Sequence, residues 1–412
     1  MNTKNAWDAI VIGTGPAGAT VARDLAKRKK KVLILEKGKL DYSIHIPSML
    51  KNKEMLYIGK GKTLVRGIRT GGTSVLYYGT AYEPPKEYFL QYGIDLSGEF
   101  DELRSELPVA PLRDELIGPS AKKIMQSATG LGYPWRKLDK FIYQDNCAPG
   151  HFPDQAQWNA TEYITEAIEA GAAMLNGADV KRVILSGKEA VGVEYIDSGI
   201  HQKVYAPKIV LAAGGIASAQ ILNNSGINTP EGFFCDPIIT VQGIGDGIQA
   251  GNEIPMAAGM ICKQEGYILT DITLPRLVYQ LFSAQALRFH RLFNHGKTVS
   301  IMVKVRDSLG GRITKKGNIR KEFTDQDKGK MENGLAHATK ILEHAGVKKI
   351  FRTVWTAAHP GGSVRIGGAV DSNLQTEYDN LYVCDCSVLP TEWGLPPTFT
   401  LLALAKRLAK RL

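Results

Sequence analysis

The sequence predicts a mixed α/β fold (α+β overall), in which a parallel sheet near the N-terminus is followed by a second part built on another sheet. An apolar run at 8–12 leads into a glycine-rich turn and then a helix, which is the pattern of a βαβ unit. A further apolar run at 207–211 indicates a buried strand that ends in small residues. Residues 236–356 change character, because strand-like runs there are followed by the helical patterns Leu277–Phe293 and Lys328–Ala345.

Length and composition are those of an ordinary globular protein of about two domains. The chain has 412 residues, of which 44% are hydrophobic and 22% charged, and no apolar run reaches the ~18 residues of a membrane span. The first strand follows Met1 so closely that no signal peptide fits, so we expect a cytoplasmic location. Five scattered cysteines do not predict a disulfide framework.

The net charge of +10 is concentrated in basic clusters at 27–31 and 406–411. Such charge can attract nucleic acid, an anionic membrane or an acidic substrate. No nucleic-acid motif or interleaved aromatic pattern accompanies the clusters. We therefore predict no nucleic-acid partner and interpret the first cluster as a solvated loop.

The turn after the first strand carries a dinucleotide-binding pattern, Gly13-Thr14-Gly15-Pro16-Ala17-Gly18. Its three glycines would allow a tight turn, a close approach to a pyrophosphate and close packing of helix on strand. The phosphates would then lie at the positive end of the helix. Glu36 ends the second strand, eighteen residues after Gly18, where a carboxylate can bind a ribose, and Lys37 follows it.

A second glycine-rich stretch, Gly71-Gly72-Thr73-Ser74, predicts a backbone that wraps closely around a polar ligand. Its N–H groups and hydroxyls supply donors. The apolar run that follows, 75–78, is unlike an exposed surface loop. We therefore predict a ligand-lining role for this stretch, in contrast to residues 40–64, which we interpret as irregular.

The middle of the chain predicts helices and loops at 96–155, a helix at 161–170 and a small antiparallel meander at 177–206. The buried strand at 207–211 would bring Ala213 and Gly214 to the same dinucleotide. Cys147 and His151 have no further ligands nearby in sequence, so we predict no metal site.

The C-terminal segment ends a short apolar strand at Asp385, whose carboxylate can hold a ribose or ribityl hydroxyl. Pro397-Thr398-Phe399 precedes or begins a last helix, whose N-terminus would point at the cofactor. Cys384 and Cys386 are interpreted as small buried side chains.

These segments, in this order, resemble the glucose–methanol–choline (GMC) oxidoreductases, which are FAD-dependent enzymes that oxidise alcohols or sugars. Gly13 to Glu36 is similar to the family's FAD fingerprint, and 71–74 to its GGxS segment. Val180 stands where a backbone contact to adenine is typical. His359-x-x-Gly362-Ser363-x-x-Ile366-Gly367 is similar to the family's His-x-x-Gly-Thr-x-x-Met-Gly, and 381–390 to its Asp-x-Ser-x-x-Pro strand.

The resemblance implies a Rossmann-like FAD-binding domain and a substrate-binding or cap domain, both discontinuous. We expect the first to comprise residues 1–95, 160–235 and 357–412. We expect the second to comprise 96–159 and 236–356.

Two positions depart from the family pattern. The family usually has Asn or His before the final Pro-x-x-Thr, and here that residue is Pro396. The family commonly has an Asn shortly after GGxS, and here that residue is Tyr77. His359 would then act alone or use a hydroxyl of Tyr77, Tyr78 or Thr398.

We expect an FAD-dependent dehydrogenase or oxidase that oxidises a CH–OH group of a small-molecule substrate, an alcohol or a sugar-like compound, with hydride transfer to flavin N5 and His359 as base. The alternatives are an FAD-dependent reductase or eliminase of an unsaturated or carbonyl substrate, and a non-catalytic flavin-binding subunit. The sequence leaves open the oligomeric state and the electron acceptor, which is O₂, a quinone or a protein. The last helix either packs on the FAD domain, which we favour, or contacts a membrane.

Overall fold

The computed structural model describes residues 6–39, 54–59, 62–314 and 319–412, and it confirms the predicted mixed α/β fold. The helices in these ranges are α1 Pro16–Lys27, α2 Glu87–Leu90, α3 Ser97–Glu106, α4 Pro119–Gly130, α5 Thr161–Glu169, α6 Ala217–Asn224, α7 Arg276–Gln285, α8 Asp325–His344 and α9 Thr398–Arg411.

The strands in the same ranges form five sheets. They are β1 Ala9–Ile12, β2 Val32–Glu36, β3 Met55–Gly59, β4 Lys62–Val65, β5 Thr80–Ala81, β6 Val109–Pro111, β7 Arg136–Lys137, β8 Asp139–Phe141, β9 Ala173–Asn176, β10 Asp179–Ser186, β11 Glu189–Asp197, β12 Ile200–Tyr205, β13 Ile209–Leu211, β14 Pro237–Ile244, β15 Ala258–Cys262, β16 Tyr267–Asp271, β17 Thr298–Val305, β18 Arg312–Ile313, β19 Ile319–Arg320, β20 Lys348–Arg352, β21 Thr356–Ala357 and β22 Leu381–Val383.

The first sheet is parallel throughout, in the order β22-β13-β1-β2-β9. β1, β2 and β13 are buried along their whole length and consist mainly of Val, Ile and Leu, as expected for strands covered on both faces. The glycine turn between β1 and α1 therefore lies at the carboxyl end of the central strand, where open parallel sheets bind ligands. The predicted antiparallel meander is also confirmed, as β10-β11-β12.

The largest sheet has the order β3-β4-β21-β14-β17-β16-β15-β7, with β20 also paired to β14. α8 packs on it through Met331, Leu335 and Ile341, which are fully buried. This helix begins three residues before the predicted one because Thr324 caps it. The Thr324 hydroxyl accepts a hydrogen bond from Asp327 N, and the Asp327 carboxylate accepts one from Thr324 N.

Two sequence interpretations fail in this second part. The helix predicted for Leu277–Phe293 stops at Gln285, because the chain turns at Leu287 (φ 56°) into 3₁₀ turns at Phe289–Arg291 and His295–Lys297. The irregular interpretation of 40–64 is wrong for β3 and β4, whereas residues 40–53 and 60–61 lie outside the described residues. β4 pairs in parallel with β21, with Leu64 facing Ala357. Local patterns do not reveal such distant pairing.

The predicted domain boundaries stay a prediction. The β3–β4 hairpin, which that division assigns to the FAD-binding part, hydrogen-bonds into the largest sheet.

The C-terminal helix α9 packs against α1 and α3. Leu404 and Leu408 are buried, and Lys406 Nζ lies 2.6 Å from Glu106 Oε1. The apolar face of this helix is therefore covered by the protein itself. No helix in the part of the chain that the structure describes has both the length and the hydrophobicity needed to cross a bilayer.

Candidate active site

A cavity of about 1320 Å³ is lined by residues of both the parallel-sheet part and the largest sheet. Most small-molecule sites have volumes of roughly 300–1,000 Å³, so this cavity has room for part of a cofactor together with a substrate. Seven of the predicted site residues line it: Thr73, Ser74, Tyr77, His359, Pro396, Pro397 and Thr398.

Backbone pairing brings His359 next to Asp236. Pro237 at the start of β14 faces Ala357 in β21, and Ala358 N donates to Cys235 O at 3.0 Å. His359 and Asp236 each have a left-handed backbone, with φ of 52° and 44°. This conformation is uncommon for residues with a Cβ and occurs often at functional sites. His359 Nδ1 lies 3.1 Å from Asp236 Oδ2.

The contact with Asp236 defines the chemistry of the imidazole. A carboxylate only accepts hydrogen bonds, so Nδ1 carries the proton and Nε2 keeps its lone pair. A quarter of the His359 side-chain surface is exposed, and His359 lines the cavity. Among the described residues none forms a hydrogen bond with Nε2, so this nitrogen can accept a proton from a bound molecule.

Asp236 is completely buried and its two oxygens face three donors. Oδ1 accepts a hydrogen bond from Gly394 N at 2.9 Å, and Oδ2 lies 3.3 Å from Lys304 Nζ in addition to its contact with His359. Lys304 is itself almost fully buried in β17. Asp236 and Lys304 thus form a buried ion pair directly behind the imidazole.

The environment lowers the pKa of His359 below its usual value. Burial is the largest cause and the Lys304 charge adds to it, while the hydrogen bond to Asp236 and its charge act in the opposite direction. His359 is therefore neutral near pH 7, which is the state that a general base requires. Burial also lowers the pKa of Lys304, against the opposing effect of Asp236.

A second buried carboxylate fixes the turn that carries Asp236. Asp307 Oδ1 accepts hydrogen bonds from Cys235 N and Asp236 N at 3.0 and 2.8 Å. Lys321 Nζ lies 2.9 Å from Asp307 Oδ2. Burial raises the pKa of Asp307 to about 6, although the Lys321 charge opposes this.

No motif in the sequence identifies Asp236 or Lys304. The only signal is that Lys304 interrupts the otherwise apolar end of the buried strand β17. Lysine is rarely fully buried without a partner, so such a position points to an acidic neighbour. The sequence does not reveal that this neighbour also contacts His359.

The three hydroxyls that the sequence offers to His359 form no hydrogen bond with it among the described residues. Tyr77 donates instead to Trp158 O at 2.7 Å, and burial keeps its pKa well above the usual value. Tyr78 and Thr398 line the cavity, and burial raises the pKa of Tyr78 to about 12. Pro396 supplies an apolar wall at the position where the family usually has a polar side chain.

The Gly13–Gly18 turn has the geometry of a phosphate site. A Cβ on Gly13 would lie 2.3 Å from Ala212 O, and one on Gly18 would lie 2.2 Å from Gly13 O, so the turn tolerates no side chain at these positions. A Cβ on Gly15 would meet no atom within 4 Å. Open space therefore remains at the N-terminus of α1, which begins with Pro16 and Ala17, and a pyrophosphate fits there.

Glu36 is buried and already bound within the protein. Its carboxylate accepts hydrogen bonds from Thr14 N at 3.0 Å, from the Thr14 hydroxyl at 2.6 Å and from Gly38 N at 2.6 Å. Burial raises its pKa and these hydrogen bonds lower it. Lys37 lies 3.1 Å from Asp179. Glu36 thus also braces the glycine turn, a role that the sequence does not reveal.

The second glycine-rich stretch lies against the first. Gly71 and Gly72 both have positive φ, and a Cβ on Gly72 would lie 2.9 Å from Gly15 Cα. Gly71 N donates to the Thr14 hydroxyl at 3.0 Å. Ser74 donates to Gly71 O at 2.6 Å and accepts from Ala160 N at 2.9 Å. The structure therefore brings both predicted cofactor loops together.

Asp385, in the C-terminal segment, binds the backbone at the predicted cofactor residues Ala213 and Gly214. Its carboxylate accepts hydrogen bonds from Gly214 N at 2.8 Å, Ser218 Oγ at 2.5 Å and Ser387 N at 2.8 Å. Ala213 N lies next to this cluster, 3.2 Å from Ser218 Oγ. Burial raises the pKa of Asp385, and the hydrogen bonds oppose the increase.

Two predicted contact residues have buried side chains. Val180 in β10 is 7% exposed, which is compatible with a contact through its backbone. Phe399 is fully buried, with its ring centroid 4.9 Å from that of Phe100. The Phe399 side chain is therefore part of the hydrophobic core, and only its backbone at the start of α9 is available to a ligand.

Comparison with known proteins gives a consistent result across the chain. The N-terminal and C-terminal family models of the GMC oxidoreductases match residues 7–250 and 290–405. The uncharacterized protein MJ1450 of Methanocaldococcus jannaschii is 28% identical over 98% of this chain and 100% of its own length. The long-chain-alcohol oxidase FAO3 of Arabidopsis thaliana is 22% identical over 98% of this chain and 67% of its own length.

Solved structures show the same fold. A pyridoxine 4-oxidase from Mesorbium loti superposes with a TM-score of 0.78 at 18% identity, over 98% of this chain and 99% of that one. A formate oxidase of Aspergillus oryzae superposes with a TM-score of 0.76 at 16% identity, over 100% and 98%.

Proposed function

The chain belongs to the GMC oxidoreductase family of FAD-dependent enzymes, and on this premise we propose that it oxidises a CH–OH group of its substrate with His359 as the base. The observation that carries this proposal is the geometry of the imidazole. Nδ1 is held by a buried carboxylate, while Nε2 forms no hydrogen bond with any described residue and the His359 side chain lines the cavity. Alcohol oxidation requires a proton acceptor of this kind within about 3 Å of the hydroxyl.

The residues described above fit FAD. The Gly13–Gly18 turn and Glu36 would hold the adenosine diphosphate half, and 71–74, 213–214, Asp385 and the start of α9 would hold the remainder. Bound FAD would supply the hydride acceptor for the oxidation.

The protein's own groups would manage the proton. The substrate hydroxyl would donate a hydrogen bond to His359 Nε2, and the neutral imidazole would take the proton as the C–H bond breaks. Asp236 would stabilise the imidazolium and prevent the ring from turning, because its contact with Nδ1 fixes the orientation. The Pro396 side chain has no donor or acceptor, so it would not share the proton with His359.

Anaerobic flavin reduction tests this assignment. The FAD-loaded protein is mixed with a panel of alcohols and sugars, and bleaching of the flavin is followed for the wild type and for His359→Ala and His359→Gln. We expect a loss of about 10²–10⁴-fold in the reduction rate for both variants, the usual contribution of a general base. Equal rates would refute the role of His359. A wild type that no alcohol reduces, but that turns over an unsaturated substrate once reduced, would favour the reductase alternative.

A further inference from the structure

Helix α7 separates the cavity from the protein surface. Its Val278, Leu281 and Phe282 are half-buried and line the cavity. Leu277, one helical turn before Leu281, is 55% exposed. The same helix thus borders the candidate substrate site and the solvent.

The exposed side of this region is unusually apolar. Leu287 is 76% exposed, Phe289 59% and Phe293 85%, and with Leu277 they make four of the nine large exposed hydrophobic residues in the described ranges. All four fall within seventeen residues of sequence. Single exposed apolar residues are normal, but a cluster of this kind marks an interaction surface.

Hydrogen bonds tie the segment that carries the cluster to the rest of the protein. The Tyr279 hydroxyl donates to Arg291 O at 2.8 Å, and Arg291 Nη2 donates to Lys349 O at 2.9 Å. His295 Nε2 lies 2.7 Å from Leu274 O. These contacts fix the backbone before and after the turn at Leu287, so the exposed apolar side chains lie on a well-defined backbone.

The charged residues of the segment that carries the cluster all have one sign, although the exposed Asp246 of a neighbouring loop interacts with Lys297. No Asp or Glu occurs between Ile272 and Arg306. Arg276, Arg288 and Lys297 are exposed, and none of the three forms an ion pair with a residue in the described ranges. Exposed apolar side chains on a segment whose charged residues are all cations are the composition of a surface that binds at the interface of an anionic membrane.

The cavity behind α7 is apolar where it approaches this surface. Met256, Ile272, Leu274, Met302 and Phe282 pack together there, and all of them line the cavity. A substrate that fills this end therefore needs an extended apolar body, with its hydroxyl at the His359 end.

We propose that this face, which we call the α7 face (Leu277, Leu287, Phe289 and Phe293 with Arg276, Arg288 and Lys297), docks on an anionic lipid surface, and that the cavity receives an apolar alcohol dissolved in that surface. The docking stands independently of the reaction. The substrate class rests on the proposed function.

Vesicle sedimentation tests the docking without any turnover. The full-length, FAD-loaded protein is spun with vesicles of phosphatidylcholine alone and with vesicles that also contain phosphatidylserine. We expect sedimentation with the anionic vesicles that weakens as salt is added, and a more than tenfold loss of affinity in Phe289→Ser/Phe293→Ser, because two exposed phenyl rings no longer enter the interface. The control is Ile200→Ser/Tyr205→Ser, which removes two large side chains of β12 that are 61% and 47% exposed.

The outcomes separate the two parts of the proposal. The docking is overturned if anionic vesicles do not sediment the protein, or if the two double variants bind alike. It is also overturned if the wild type does not bind vesicles and Phe289→Ser/Phe293→Ser converts a dimer into a monomer, because the α7 face would then be a dimer interface. If docking holds, alcohols of increasing chain length presented in vesicles should reduce the flavin increasingly fast. Failure of that trend would refute the substrate class alone.

Discussion

Replacing Asp236 by Asn tests the proposed base through the residue behind it. Both carboxylate oxygens face N–H donors, since Oδ1 accepts from Gly394 N and Oδ2 faces His359 Nδ1 and Lys304 Nζ. An amide has one acceptor and one donor end, so either orientation sets its NH₂ group against a donor. When the NH₂ group faces the imidazole, its conflict with His359 is relieved if His359 moves its proton from Nδ1 to Nε2. The nitrogen at the cavity then cannot accept a proton.

Two magnitudes follow from this geometry. Loss of the correct tautomer should lower the flavin reduction rate by about 10²–10⁴-fold, the usual contribution of a general base. Lys304 is 2% exposed at its side chain and loses its charge partner, so the folded state should also lose about 3–5 kcal/mol of stability.

The assay separates these two effects. Thermal unfolding and FAD content are measured first, and single-turnover flavin reduction is then measured at a temperature where the variant is folded. The double variant Asp236→Asn/Lys304→Met removes both charges, so we expect it to regain most of the stability and none of the rate. If Asp236→Asn is folded, holds FAD and is reduced as fast as the wild type, Asp236 does not position the base.

Two further predictions concern pH and cofactor binding. Because burial and the Lys304 charge lower the pKa of His359, kcat/KM should rise with pH through a value below 6.5 and then level off. Lys304→Met removes that charge, so the rise in kcat/KM should move to higher pH. A move to lower pH would contradict the explanation. Gly15→Ala should leave the stability of the FAD-free protein within about 0.5 kcal/mol of wild type, but it should weaken FAD binding. Gly18→Ala should lower the stability by about 1–3 kcal/mol, because the added methyl group overpacks against Gly13 O. Thermal unfolding with and without added FAD measures both, and equal behaviour of the two variants would refute the phosphate site.

The sequence predicted the features that depend on neighbouring residues. The β1–α1 turn, the meander β10–β12 and the N-terminus of α9 all show local periodicity or glycine spacing, and the structure contains each of them. The family motifs also identified His359 and Asp385 as candidate site residues, because each motif is a local pattern of residues at fixed spacing. Their predicted roles in binding and catalysis remain predictions.

Features that depend on distant pairing were missed. The contact between Asp236 and His359 spans 123 residues of sequence. It exists because Pro237 of β14, next to Asp236, pairs with Ala357 of β21, two residues before His359. β4 joins the same sheet through β21 for a similar reason. The predicted helix beyond Gln285 had suitable apolar spacing, but the turn at Leu287 and the contacts of Arg291 and His295 override it.

The pairing of β14 with β21 has a consequence for how this enzyme can change. The positions of the proposed base and its carboxylate are set by main-chain hydrogen bonds, and these tolerate almost any side chain on the residues that make them. The cavity wall that we propose to select the substrate is a separate stretch, 272–297, whose cavity-lining side chains form no hydrogen bond with His359 or Asp236 in the described structure. Substitutions in α7 can therefore redirect the enzyme toward alcohols of another size while the proton-accepting pair stays as it is. A library confined to Val278, Leu281 and Phe282 is the place to begin altering its specificity.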